Sequence, residues 1–109
     1  MSKERANVWV VIHCEYMQRG AKAEDGAFVD EMVFHVAGSL RAAAKYVRVV
    51  KGMPFSWWKI QRRVIDETDF DADDRPETRI YSHNGKLLKS EPHATAMRAF
   101  KKELKNRDL

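Results

Sequence analysis

At 109 residues the chain has the length of one domain, expected to span 1–109 with fraying at residues 1–6 and 106–109. Its makeup, 44% hydrophobic and 33% charged with a net charge of +4, is that of a soluble globular protein, and no apolar run reaches the roughly 20 residues that span a bilayer. A single cysteine, Cys14, excludes an intramolecular disulfide and fits a reducing cytoplasm, and the apolar stretch Val8–Ile12 is too short for a signal peptide.

Asn7 to Met17 reads as a strand. Val8, Val10, Ile12, Cys14 and Tyr16 fall on one face; Trp9, Val11, His13 and Glu15 fall on the other. Both faces begin apolar, as expected of a central strand. Gln18 to Ala27 holds two glycines and mixed charge and reads as a loop. Phe28 to Ala37 returns to strand character, with Met32, Phe34 and Val36 on one face and Val29, Val33 and His35 on the other.

Gly38-Ser39 then marks a change of period. Ser39 is placed to cap a helix whose stripe is Leu40, Ala43, Ala44, Val47 and Val50, with Arg41, Lys45 and Arg48 opposite. Gly52 is expected at its C′ position, and Pro54 stops it. Pro54-Phe55-Ser56-Trp57-Trp58 leads into a third strand, Trp57 to Asp66. Neighbours on a strand point to opposite faces, so Trp57 and Trp58 cannot share one cover.

Asp66 to Glu77 is an acidic loop. Around Asn84-Gly85 the chain predicts a two-residue hairpin, with Tyr81 facing Leu88 and Ser82 facing Leu87. Ser90, Glu91 and Pro92 open a last helix, whose inner face is His93, Ala96, Met97, Phe100 and Leu104. The order ββαβββα predicts an α+β fold: one mostly antiparallel sheet, with both helices packed on one face. The other face would then stand partly open, with Trp9, Val33 and Trp57 as candidates to lie on it.

Charge is segregated along the chain. No acid occurs from Met32 to Ile65 against seven basic residues, while Asp66 to Glu77 holds seven acids and one arginine. Arg41, Lys45 and Arg48 on the helix, with Lys59 and Arg63 beside Trp57, form a candidate nucleic-acid footprint in which cations take phosphates and an indole stacks on a base. The chain lacks an RRM aromatic motif and a KH GXXG loop.

The catalytic signatures fare worse. Asp69-x-Asp71-x-Asp73 resembles the start of a calcium loop, but the positions needing Gly and Glu hold Asp74 and Ile80. His13 and Cys14 point to opposite faces and cannot pair. His13, Glu15 and His35 are the one arrangement that invites a check as an enzyme site. His13, His35, His83 and His93 show no zinc-ligand spacing, and the glycines form no phosphate loop. No metal and no cofactor is expected.

Four segments carry a resemblance: Val8-Trp9-Val10, the helix Ser39-Leu40-Arg41-Ala42-Ala43, Ser56-Trp57-Trp58-Lys59-Ile60, and Ile80-Tyr81-Ser82-His83-Asn84-Gly85-Lys86. Together they resemble small uncharacterised bacterial α+β domains with an S-L-x-x-A helix, an aromatic strand and a Y-x-x-x-G hairpin. The resemblance implies a fold and brings no activity. The expectation is therefore a small cytoplasmic, non-enzymatic binding or accessory protein acting through a sheet face or edge. Its partner would be another protein or a second copy, with nucleic acid as the alternative and no membrane contact.

Overall fold

Five strands form one antiparallel sheet in the computed structural model, which describes residues 7–18, 26–64 and 77–107. They are β1 (Asn7–Gln18), β2 (Ala27–Ala37), β3 (Ser56–Val64), β4 (Thr78–Ser82) and β5 (Leu87–Leu88). Helix α1 (Leu40–Val50) follows β2, and α2 (His93–Arg107) follows β5. The α+β class and the element order agree with the sequence expectation. The sheet order is β2-β1-β3-β4-β5, so β1 and β3 are central and β2 is a long edge strand.

In one particular the placement differs. The helices do not share a face. Val11, Ala37, Trp58, Ile60 and Tyr81 pack with Ala43 and Val47 of α1, whereas Cys14, Tyr16, Phe55 and Trp57 pack with Ala96 and Phe100 of α2. The cause is the Trp57-Trp58 pair. Each indole is fully buried, and alternation sends them to opposite sides, so both sides of β3 need a cover.

Helix α1 starts where expected. Ser39 is extended (φ −146°) and its hydroxyl accepts from the Ala42 amide at 3.1 Å. Its far end differs: Lys51, not Gly52, takes the positive φ of 53°. Gly52 is required by crowding instead, because a Cβ there would collide with Ser56 Oγ and press on His13 Nε2 at 3.0 Å. Val50, read from the sequence as core, is exposed.

The β4–β5 hairpin is also one residue out of the expected register. Ile80 pairs with Leu88 and Tyr81 with Leu87. The loop is therefore three residues, His83-Asn84-Gly85, with Gly85 at φ 88° and its amide donating to Ser82 O at 3.0 Å. The hairpin packs inward: Trp58 Nε1 donates to His83 O at 3.3 Å. Residues 1–6, the 19–25 part of the first loop, the acidic segment through residue 76 with its Asp69-x-Asp71-x-Asp73 pattern, and residues 108–109 lie outside the described residues.

Candidate interaction surface

A β-bulge shapes the outer edge of the sheet. Val11 pairs with His35 and Ile12 with Val33, so Phe34 is the extra residue on β2. The alternation read from the sequence breaks there. Phe34 turns to the α1 side and stacks on His13 (centroids 4.7 Å apart), while His35, expected on the other face, stacks on Tyr46 of α1 at 4.3 Å. Met32 pairs with His13 and joins the same side. The bulge thus gathers Met32, Phe34 and His35 beside α1, leaving Val33 and Val36 on the α2 side.

Helix α1 extends this surface. At about 100° per residue, Ala43, Val47, Leu40 and Ala44 form the inner sector. Arg41, Lys45 and Arg48 form the outer sector, with Arg48 toward the hairpin, where its side chain approaches Gly85. Tyr46, stacked on His35, and Val50 lie on the flank above β2, while Ala42 and Val49 turn away from the sheet. That flank carries no charge. Met32, Val33, Val36 and Val49 are each more than half exposed, at 57, 57, 54 and 70%. Phe34 and Val50 are exposed too, as is Met53 beyond the helix end. The β2 residues among them lie on both faces of an edge strand whose outer side has no neighbouring strand among the described residues.

His13 lies beneath this patch, buried between Phe34 and Trp58 (4.6 Å). Burial pushes its pKa below the ordinary histidine value, against the opposing pull of Glu15 and Asp30. It is a neutral packing ring at pH 7.

A polar network occupies the opposite face. Lys59 Nζ donates to Glu31 Oε1 at 2.6 Å and Glu91 Oε1 at 2.7 Å. Glu91 Oε2 meets His93 Nε2 at 2.9 Å, and His93 Nδ1 meets the Tyr16 hydroxyl at 3.1 Å. Cys14 Sγ approaches Glu31 Oε1 at 3.7 Å. Burial alone would lower the Lys59 pKa, but its two carboxylate hydrogen bonds prevail and raise it. For Glu91, burial pushes upward and the contacts with Lys59 and His93 win, lowering it. Burial, with Glu31 nearby, pushes the Cys14 thiol up to about 12. A locked ammonium and a silenced thiol make a fastening for α2, not a nucleophile with its base.

The sequence candidates are dispersed by this geometry. Trp57 is fully buried under α2, so the expected open-face position is corrected: α2, not solvent or a partner, covers it. Trp9 is half-buried against the α1 cluster, and only Val33 of the three is exposed. Arg41, Lys45 and Arg48 lie on the outside of α1, whereas Lys59 and Arg63 lie on the α2 side. Lys59 is held by Glu31 and Glu91, and Arg63 bonds Gln61 at 3.3 Å. His13 and His35 share a side with Glu15, but each imidazole is spent on a separate aromatic stack.

Met32, Phe34, Val36 and the α1 flank are the residues sequence reasoning did not assemble. The uninterrupted apolar run Met32-Val33-Phe34 was the available signal, since a regular half-buried strand alternates. Among the described residues no cluster of three or more His, Cys, Asp or Glu side chains is arranged to hold a metal ion, and no helix is long and apolar enough to cross a membrane. In comparisons with known proteins the chain matches no family model, no curated protein and no solved structure.

Proposed function

We propose that this protein is a small binding or accessory module that engages another polypeptide through the open β2 edge and the adjoining flank of α1. One observation carries the reading: Met32, Val33, Phe34 and Val36 are exposed along a strand that has no outer neighbour among the described residues, while the central strands are covered by helices on both sides. Soluble proteins usually blunt such an edge with charge or bury it. An edge that offers both unpaired amides and apolar side chains suits addition of a strand from a partner. The buried cysteine, which has no disulfide, supports a cytoplasmic setting for this role.

A photo-crosslinking residue at position 36, compared with one at the exposed Lys102 of α2, tests the reading. A discrete adduct at position 36 that is absent at position 102 is expected. No adduct at either position, or the same smear at both, would remove the edge from consideration.

A further inference from the structure

We infer that the flank of α1 turned to the hairpin is a second contact surface, a sequence-independent seat for the phosphate backbone of duplex nucleic acid. It lies across the helix from β2 and does not depend on the reading of that edge. Helix α1 packs mainly on β1, β2 and β3, so the same side of β4 and β5 forms a shelf beside it. Tyr81 is buried there, while Leu87, its partner across the hairpin, is exposed. Arg41, Lys45 and Arg48 point away from the sheet on the shelf side of α1, and the Arg48 side chain reaches Gly85. Strand pairing puts Arg62 beside Trp9 and Arg79 beside Ile60, on the sheet below these three.

Charge selects the partner. Glu77 is the one acid that the described residues place on this side of β3 and β4, and it is shared by Arg62 at 3.9 Å and Arg79 at 3.3 Å. Arg41, Lys45 and Arg48 are exposed and make no ion pair among the described residues. They span about 10 Å of helix with no carboxylate between them. Such a row suits a polymer of uniform negative charge, and a duplex carries one charge per about 1.7 Å. Two of the three are arginines, whose planar fork matches a phosphate. A single strand would need rings to stack on. Trp57 and Trp58 are fully buried, Tyr81 is nearly so, and Tyr46 is held by His35 on the other flank. The contact is therefore to backbone, without base readout, and Lys59 and Arg63 take no part in it.

Fluorescence anisotropy of a labelled duplex, titrated with the full chain at several salt concentrations, tests the surface. Three phosphate contacts give a slope of log K against log salt of about −2.7, a loss of about fortyfold between about 50 and 200 mM. Arg41→Gln combined with Lys45→Gln should reduce the slope to about −0.9. Lys101→Gln combined with Lys102→Gln, on α2, should leave it unchanged. Circular dichroism and thermal melting show that both double variants fold. No binding at about 20 mM salt, or equal flattening by the α2 pair, would overturn the surface. A single strand of the same length that binds more tightly than the duplex would overturn the choice of partner. So would polyglutamate that displaces the duplex at equal charge concentration, by assigning the face to an acidic polypeptide. The crosslink at position 36 does not involve these cations, so this inference and the edge reading fail separately.

Discussion

Gly85 has two independent reasons to lack a side chain. Its φ of 88° disfavours any Cβ, and a Cβ there would come within 2.8 Å of the Arg48 Cα, which cannot swing aside as a side-chain tip can. Gly85→Ala should therefore destabilise by about 1–2 kcal/mol from the backbone alone, with the collision adding to it; urea unfolding measures the sum. Trp57 and Trp58 form a second residue-level case. Both are fully buried, each against a different helix, so Trp57→Ala and Trp58→Ala should each lower stability by about 3–5 kcal/mol. A Trp57→Ala chain of unchanged stability but weaker association would contradict its place under α2. Cys14 gives a chemical readout. With its pKa pushed up to about 12, only about one thiol in ten thousand is ionised at pH 8. Alkylation by iodoacetamide should be negligible in the folded protein and prompt after denaturation.

The two helices are attached by different physics, and their pH dependence should separate them. Helix α1 sits on an apolar cluster next to a buried neutral imidazole. His13 has a folded pKa below 6.5, so its contribution is complete above pH 6.5 and declines as pH falls below that value, where the unfolded chain takes the proton first. Helix α2 is fastened through Glu91. Its folded pKa is depressed, so that contribution is complete above about pH 4.5 and is lost as pH falls through the depressed value. Thermal melts should show a first decline below pH 6.5 that His13→Phe removes, and a second below pH 4.5 that Glu91→Gln reduces. Glu91→Gln itself should cost about 1 kcal/mol at pH 7. At this scale much was legible in advance. Ser39 announces its helix because a hydroxyl before an apolar stripe has one good use, and the alternation of β1 and β3 survives because both strands are buried on both sides. The side each helix takes was not legible: a stripe shows that a cover is needed, not where the chain swings. The Lys59 network was hidden because Glu31, Lys59 and Glu91 are far apart in sequence and meet only through strand register. The three-residue hairpin loop escaped because Asn84-Gly85 serves either turn, and the packing of Gly85 on Arg48 selects the longer one.

Across the whole molecule, the basic residues do not add up to one surface. Arg41, Lys45 and Arg48 point outward from α1, while Lys59 and Arg63 sit on the far side of the sheet and are engaged there. Three aligned cations displace about three counterions, which limits the salt slope for duplex DNA to about −2.7. A gel-retardation series with a markedly steeper slope would show that cations from elsewhere on the surface join in. The proposed association through the β2 edge should behave differently, because the large exposed residues there are apolar and salt screens only charges. The extra residue at position 34 lets two sequence neighbours, Phe34 and His35, both face α1. Val33 already pairs with Ile12 and His35 with Val11, so removing position 34 would restore strict alternation and leave His35 on Tyr46 and Ala37 in the α1 cluster. A deletion of Phe34 is therefore expected to keep the first helix in place and to cost only the ring that packs on His13 and Trp58.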